Sequence, residues 1–347
     1  MKKGIKATLK KLLVTIMAAT MIVGLAGCGG TKDTVSNDNT EVEDTNKDGE
    51  KRVAFISPAN QFDFFVYIGA EVKKIGEEKG IKVDMFDAAL DVNKLADLMS
   101  QAIIQKYDAI IVGPVDTEAV VPSIKEANEA GIPVINYDSF VEGAEVYARV
   151  GSGNVEMGKI AGEHAVEMLK EKYGKVEGNI TVLSYPQLET MNKRIEGFKD
   201  AFKDYPDVNI KEETVDAVTA EAGQTLTDNL LVANGEGKID IIYGSNAGVL
   251  LGALAAVSSA NRTDIALVGI DNEEGQLNAL KDGTYYKGTV AQDSYSIGEE
   301  AINAAIKAMD GEKTGDVVVP GILVTPENVD EYLQNDKDTK AELDAYK

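Results

Sequence analysis

The chain has 347 residues and a formal net charge of −23 at pH 7, with 58 acidic and 35 basic residues. This balance excludes nucleic acid as an expected partner, because phosphate binding needs clustered lysine and arginine. It also argues against a protein that lies on an anionic lipid surface. One cysteine and one histidine provide little for nucleophilic catalysis or for a metal site, so we expect no cofactor and no metal.

Residues 1–27 have the layout of a secretory signal peptide, with five lysines before an apolar run that starts at Leu12. Gly24 and Gly27 interrupt a run that is already short for a bilayer span. The run ends in the letters LAGC and resembles the lipobox of bacterial lipoproteins, whose cysteine becomes the lipidated first residue. We therefore expect Cys28 to be the lipid attachment site, which would anchor the protein to the outer face of the cytoplasmic membrane. The alternative is an ordinary secretory signal with an incidental cysteine.

Residues 28–50 contain only Val35 and Val42 as sizeable apolar residues, and this composition predicts a disordered tether. Residues 44–49 match the first half of a calcium-binding loop. The twelfth loop position would be Phe55, inside a predicted strand, so we expect no calcium site there. Removal of residues 1–27 would take away five lysines and no acid, and would change the formal charge from −23 to −28.

From residue 51 onward, short apolar runs alternate with amphipathic segments. The pattern predicts strands at 52–57, 81–86, 108–113, 132–137 and 146–150, and helices at 64–79, 92–106, 117–130. Gly80 is a typical helix stop, and Asp91 can cap the second helix. Continuous apolar strands separated by amphipathic helices indicate a parallel sheet that is covered on both faces.

The same alternation restarts after the glycine-flanked segment 151–153, which we take as a lobe boundary. Here the pattern predicts strands at 179–184, 208–215, 239–243, 265–270, 287–291 and 322–324, and helices at 154–172, 189–202, 221–233, 248–259, 273–281, 297–309 and from Pro326. Asn154 is the expected cap of the first of these helices. Two such series predict an α/β protein with two doubly wound parallel-sheet lobes.

Polar side chains follow many of the predicted strands. In open α/β sheets, ligands bind beyond the carboxyl ends of the strands, so two facing sheets would hold a ligand between them. Asp, Asn, Gln and Arg side chains can satisfy the hydroxyl groups of a polyhydroxylated ligand, since each hydroxyl both donates and accepts. At any single position, helix capping is the competing explanation.

From about Arg52 to Val324 the chain resembles the ribose-type periplasmic sugar-binding proteins of ABC importers, which have the type I periplasmic-binding-protein fold. The resemblance is carried by seven ordered stretches, namely residues 63–65, 131–135, 153–162, 194–198, 246–254, 268–271 and 290–292. It implies two lobes joined by a three-segment hinge near Ser152, Gln292 and Ile322. The implied lobes are 51–152 completed by 293–322, and 153–292 completed by 323–347.

Carried across residue by residue, the resemblance implies that Phe64 and Phe65 pack on the sugar ring. It implies hydroxyl-binding roles for Asp138, Arg194, Asn246, Asp271 and Gln292. The chain departs from the family pattern at four places, where it has Phe62-Asp63, Gly113, Ser139 and Val218 instead of Asn-Pro, an asparagine, an arginine and an aromatic residue. The site loses one positive charge and gains a carboxylate, so we include Asp63 among the ligand-binding residues. These changes cast doubt on ribose and leave room for another aldose, a polyol such as inositol, or a linear or furanosyl ligand.

The resemblance implies an extracytoplasmic binding lipoprotein that delivers a monosaccharide or polyol to an ABC permease and its ATPase. We expect a monomer without enzymatic activity. One alternative is a protein that binds an autoinducer-2-like signalling molecule or presents its ligand to a chemoreceptor or sensor. A glycoside hydrolase with Asp138 and Asp271 as paired carboxylates is a second alternative. A transcription regulator shares the two-lobe core, but the leader argues against it. His164 is predicted to lie at the surface or rim.

Overall fold

The computed structural model describes Gly49 and residues 51–347. The predicted signal peptide, Cys28 and the tether lie outside the described residues, apart from Gly49 of the half calcium loop. Within the described part of the chain, no helix combines the length and apolar character that a membrane span requires. The same residues contain no group of three or more His, Cys, Asp or Glu side chains placed to hold a metal ion.

The described chain alternates between strands and helices along its whole length. The strands are β1 (Arg52–Ser57), β2 (Lys82–Asp87), β3 (Ala109–Val112), β4 (Val134–Tyr137), β5 (Ala148–Ser152), β6 (Gly178–Ser184), β7 (Val208–Thr214), β8 (Ile241–Gly244), β9 (Ala266–Ile270), β10 (Tyr286–Ala291), β11 (Gly315–Val319) and β12 (Ile322–Val324). The helices are α1 (Asp63–Glu78), α2 (Val92–Ile104), α3 (Val121–Glu129), α4 (Asn154–Tyr173), α5 (Glu189–Asp200), α6 (Ala220–Ala233), α7 (Ala247–Ser259), α8 (Glu274–Asp282), α9 (Ser294–Met309) and α10 (Val329–Leu343).

The strands form two six-stranded sheets with the same spatial order. The first sheet runs β11-β5-β4-β3-β1-β2, and the second runs β12-β10-β9-β8-β6-β7. All neighbouring strands are parallel except β12, which pairs antiparallel with β10. The α/β class and the two parallel sheets are therefore confirmed.

The central strands of each sheet are buried on both faces, which explains why they are continuous apolar runs. In the first sheet, Phe55 packs on one face and stacks on Tyr137 at 5.2 Å between ring centroids, whereas its neighbour Ile56 packs in the cluster on the other face. In the second sheet, Leu183 packs in the apolar cluster on one face, and its neighbour Val182 packs in the cluster on the other face.

The chain passes between the two sheets three times. The passages lie between β5 and α4, between β10 and α9, and between β11 and β12. We call the first sheet with α1, α2, α3 and α9 the first lobe, and the second sheet with α4 to α8 the second lobe. Residues 152–154, 291–294 and 319–322 thus form the connection between the lobes.

Several local predictions were wrong. The chain contains an edge strand, β11, that the pattern did not reveal, because its residues are mostly exposed and carry no continuous apolar signal. Helix α3 begins at Val121, since the Asp116 carboxylate binds the amides of Glu118 and Ala119 in a turn before it. Helix α10 begins at Val329, after a turn in which Asn328 binds the backbone of residues 323 and 325. Asn154 does not cap α4, whose N-cap is Gly153.

Candidate functional site

Asp271 lies directly after β9 and is the centre of a polar network. Its carboxylate Oδ1 accepts hydrogen bonds from Gln292 Nε2 at 2.9 Å and from Arg194 Nη1 at 3.4 Å. Its Oδ2 accepts from the Ala247 amide at 3.0 Å. The backbone of Asp271 has a φ of +80°, a region that non-glycine residues seldom occupy. Because bonds on both carboxylate oxygens hold this conformation, the side chain is fixed before any ligand arrives.

Arg194, on the buried face of α5, is the cation of this network, with 8% of its surface exposed. Its Nε donates to Asn154 Oδ1 at 2.8 Å, and its Nη1 also donates to the Ser245 carbonyl at 3.0 Å. Within residues 51–347, Nη2 makes no hydrogen bond. The bond from Nε also explains the true role of Asn154, which was predicted only as a helix cap.

Close packing of α4 against α5 sets the position of Arg194. A Cβ atom on Gly158 would lie 1.9 Å from the Arg194 carbonyl oxygen. A Cβ atom on Gly197 would lie 1.8 Å from the Val155 carbonyl oxygen. Both contacts are far shorter than any real side chain allows, so glycine is required for the two helices to approach this closely. The small residues therefore hold the guanidinium at the carboxyl ends of the second sheet.

Gln292 connects this network to the passages between the lobes. Its Nε2 binds Asp271, and its Oε1 accepts a hydrogen bond from Ser152 Oγ at 2.9 Å. Ser152 lies in the first passage and Gln292 in the second, so one amide side chain ties two of the three passages to the site. Sequence reasoning identified Gln292 but not the role of Ser152.

Asn246, at the end of β8, acts as the N-cap of α7. Its Oδ1 accepts from the Gly248 amide at 2.9 Å, so the competing explanation of helix capping applies to its oxygen. The side-chain nitrogen has no partner among the described residues and can donate to a ligand. The neighbouring Ser245 hydroxyl is fully buried and also lacks a partner within that part of the chain.

The first lobe presents Asp138, directly after β4. It has a φ of +67°, and its Oδ2 accepts a hydrogen bond from Ser139 Oγ at 3.0 Å. Burial raises the pKa of Asp138, while the Ser139 hydrogen bond and the charge of Arg194 act in the opposite direction. The charge of Arg194, in the second lobe, thus favours the ionised form of Asp138, in the first.

Phe64 and Phe65 lie in the first turn of α1. Their rings meet edge to face at 5.1 Å, and Phe65 meets Tyr137 in the same manner at 6.4 Å. Asp63 precedes them and is exposed. These three residues line a cavity of about 750 Å³ together with Asp271 and Gln292. The structure thus brings five of the eight predicted residues to one cavity, whereas Asp138, Arg194 and Asn246 do not line it.

The cavity is lined mainly by acidic and aromatic side chains. Its carboxylates are those of Asp63, Asp271, Glu273, Glu274 and Asp336, and among the described residues Lys340 is the only basic one in its wall. Burial and the nearby Asp271 charge raise the pKa of Glu273. This electrostatic setting disfavours an anionic ligand. The α10 residues of the wall were not predicted, because nothing in their local pattern places them near the strand ends.

Comparisons with known proteins agree with this architecture. Residues 53–313 match the model of the periplasmic binding protein domain. The chain is 30% identical over 257 residues to the ribose import binding protein of Bacillus subtilis (strain 168), which covers 72% of this chain and 79% of that protein. It is 28% identical over 319 residues to the xylitol-binding protein of Mycolicibacterium smegmatis, which covers 90% of this chain and 85% of the relative.

Among solved structures, an ABC transporter solute binding protein from Bacillus halodurans C-125 with bound myo-inositol matches with a TM-score of 0.67 and 29% identity. The match covers 83% of this chain and 99% of that one. With the domain model matched over most of the described residues and the lobes arranged as above, the chain belongs to the periplasmic binding protein family.

Proposed function

We propose that this protein is an extracytoplasmic solute-binding protein that captures a monosaccharide or related polyol between its two lobes and delivers it to an ABC permease. The observation that carries the proposal is that Asp138 in the first lobe and Asp271, with its bond to Arg194, in the second lobe follow corresponding strands, β4 and β9. Each lobe thereby offers a carboxylate at the end of a central strand. The charge of Arg194 also favours the ionised form of the Asp138 carboxyl.

The hydrogen-bonding groups suit a neutral polyhydroxylated ligand. Asp138 and Asp271 can accept from hydroxyls, while Arg194 Nη2 and the Asn246 amide nitrogen can donate to them. Phe64 and Phe65 supply apolar surface for the carbon-bound faces of such a ligand. The predominance of carboxylates argues against sugar phosphates and sugar acids, because anions would be repelled in a partly buried site.

The relatives support the same ligand class. They include proteins described as binding ribose, xylitol and myo-inositol. Ser139 replaces the arginine that the ribose-binding pattern has beside Asp138, so we favour a polyol or a different aldose over ribose. The signalling-molecule alternative has no comparable support among these relatives. We also propose that the protein is not an enzyme, in keeping with relatives that are binding proteins of transporters.

Closure of the lobes would follow from ligand contacts that exist on both sides only when the cleft is shut. The lobes in this proposal are residues 51–152 with 293–322, and residues 153–292 with 323–347. We further propose that the chain is a monomer and that it is anchored to the outer face of the cytoplasmic membrane through lipidated Cys28 after removal of residues 1–27. The closed form would be the one that the permease with its ATPase recognises.

A thermal-shift panel on the purified chain tests the proposal. It should include ribose, xylose, galactose, glucose, arabinose, fructose, myo-inositol, xylitol and autoinducer-2, with glucose 6-phosphate and glucuronate as anionic controls. A ligand at about 100 times its Kd stabilises the folded state by ~2.7 kcal/mol. We expect a shift of several degrees for a neutral sugar or polyol and none for the anions. A folded protein that responds to none of the neutral sugars or polyols would contradict the proposal.

A further inference from the structure

The C-terminal helix α10 lies beyond residue 313, where the match to the family domain ends. It contacts elements of both lobes, packing on α1 of the first lobe and on α8 of the second. It is thus a fourth physical link between the lobes, in addition to the three passages of the chain.

The first half of α10 is rooted in the second lobe. Val329 is 1% exposed and belongs to the apolar core there, with Tyr332 and Leu333 packed against the same core. The Tyr332 hydroxyl accepts a hydrogen bond from Asn272 Nδ2 at 2.7 Å. The helix also follows β12 of the second sheet after only four residues, so covalent continuity keeps this half in place.

The second half of α10 is attached to the first lobe, mainly through polar contacts. Tyr295 of α9 donates a hydrogen bond from its hydroxyl to Asp336 Oδ1 at 2.6 Å. Lys74 of α1 pairs with Glu342 at 2.8 Å, where the glutamate side chain is 61% exposed. Leu343 is buried against Tyr67 and Ala70 in one small apolar cluster, and Lys340 lies over the Tyr67 ring at 5.1 Å from its centroid.

The middle of α10 forms part of the cavity that contains the candidate site. Leu333, Asp336 and Lys340 line it opposite Phe64 and Asp271. The Asp336 carboxylate that receives the Tyr295 hydrogen bond also pairs with Lys340 at 3.0 Å. The hydrogen bond from Tyr295 to Asp336, which holds α10 to the first lobe, is therefore also part of the cavity wall.

We propose that α10 is a brace that closes one side of the ligand cavity, holds the lobes together, and must detach from the first lobe when they separate. Detachment on that side is favoured because the buried apolar contact there is limited to one small cluster, whereas detachment from the second lobe would expose part of its main core. The inference builds on the lobe movement of the proposed function, but its test needs no ligand.

The test measures the distance between the lobes in the ligand-free protein. Spin labels are placed through Lys94→Cys on α2 and Glu189→Cys on α5, two exposed positions beyond the carboxyl ends of β2 and β6, with Cys28→Ser to remove the native thiol. The brace variant adds Tyr295→Phe and Lys74→Ala. The matched control adds Lys281→Ala, which breaks the 2.7 Å pair between α8 and Asp330 at the second-lobe end of α10.

We expect the brace variant to populate longer distances about tenfold more than the parent, in line with the loss of one hydrogen bond and one ion pair. The control should match the parent. Raising the salt concentration from about 0.05 M to 1 M in the unmodified labelled protein should move the distribution in the same direction, because exposed pairs are screened. Distance distributions that are identical in parent and brace variant, or unaffected by salt, would overturn the proposal. Tyr295→Phe alone provides the same comparison if the double variant does not fold.

Discussion

Asp138 and Asp271 occupy corresponding positions in the two lobes and share one backbone conformation. Asp138 follows β4 and has a φ of +67°, and Asp271 follows β9 and has a φ of +80°. The Asp138 amide donates to the Val150 carbonyl at 2.9 Å, and the Asp271 amide donates to the Val290 carbonyl at 3.0 Å. Since β4 and β9 hold the same place in their sheets, each lobe presents its aspartate in the same way.

This backbone conformation costs folding free energy, and the two residues that share it are both candidate site residues. Left-handed backbone at a non-glycine residue costs about 1–3 kcal/mol and persists only where the surroundings enforce it. One such residue directly follows a strand in each lobe. This arrangement supports a role in binding rather than in folding, because neither sheet needs an aspartate there to pack.

Arg194→Ala should weaken ligand binding by about 2–3 kcal/mol, or roughly 30- to 150-fold in Kd, because a buried charged donor is lost. Isothermal titration with a ligand identified by the thermal-shift panel measures this change. Lys193→Ala is the matched control, since Lys193 lies next to it on α5 with its side chain 49% exposed. Equal affinities for wild type and Arg194→Ala would show that the guanidinium is not part of the site.

Asp271→Asn and Asp271→Ala should separate the charge of this residue from its backbone conformation. Both variants lose the ion pair with Arg194, so both should bind ligand more weakly. Asparagine accepts left-handed backbone more readily than alanine. The free energy of unfolding of Asp271→Ala should therefore be lower than that of Asp271→Asn by about 1 kcal/mol. Urea denaturation compares the two, and equal stabilities would contradict the assignment of strain to this residue.

Asp138→Asn should be more stable than wild type near neutral pH in the absence of ligand. Burial raises the pKa of Asp138 above its ordinary value of 3.8. Between that value and the raised one, the folded state retains a proton that the unfolded state has lost, so stability falls as pH rises through this window. Asparagine does not ionise, so the stability of the Asp138→Asn variant does not fall in this pH window.

The advantage of Asp138→Asn should consequently shrink as the pH is lowered toward about 4, where the wild-type carboxyl is increasingly protonated in both states. Urea denaturation of both proteins at several pH values between 4 and 8 measures the difference in free energy of unfolding. A difference that does not change with pH would mean that the Asp138 carboxyl is not perturbed by its surroundings.

The N-terminus provides a prediction that is independent of the fold. Mass spectrometry of the native protein should find Cys28 as the first residue, carrying lipid. Cys28→Ser should release the protein from the membrane fraction. An unmodified Cys28 thiol in native material would contradict lipid attachment and favour an ordinary secretory signal.

The fold was largely predictable because the strands of both sheets are buried on two faces and leave an unbroken apolar signal. Edge strand β11 lacks that signal, because its residues Asp316 and Val318 are exposed to solvent. Asp138 and Asp271 could be predicted as candidate site residues because each directly follows a predicted strand. The supporting contacts could not be read from local pattern: Asn154 binds a residue 40 positions away, and Ser152 binds one 140 positions away. The contacts of α10 with both lobes could not be predicted for the same reason, because they join residues that are far apart in the sequence.

The close approach of α4 and α5 limits which part of the cleft can be mutated to change the ligand preference of this protein. The helix contact leaves no space for a side chain at Gly158 or Gly197. In addition, the Arg194 guanidinium is held by hydrogen bonds to Asn154 and Asp271. Any alteration of that half of the cleft would disturb helix packing. Asp138 has only Ser139 as a side-chain partner among the described residues. New ligand preferences should therefore be engineered through the first lobe, by varying residue 139, while the second lobe is kept as an invariant platform.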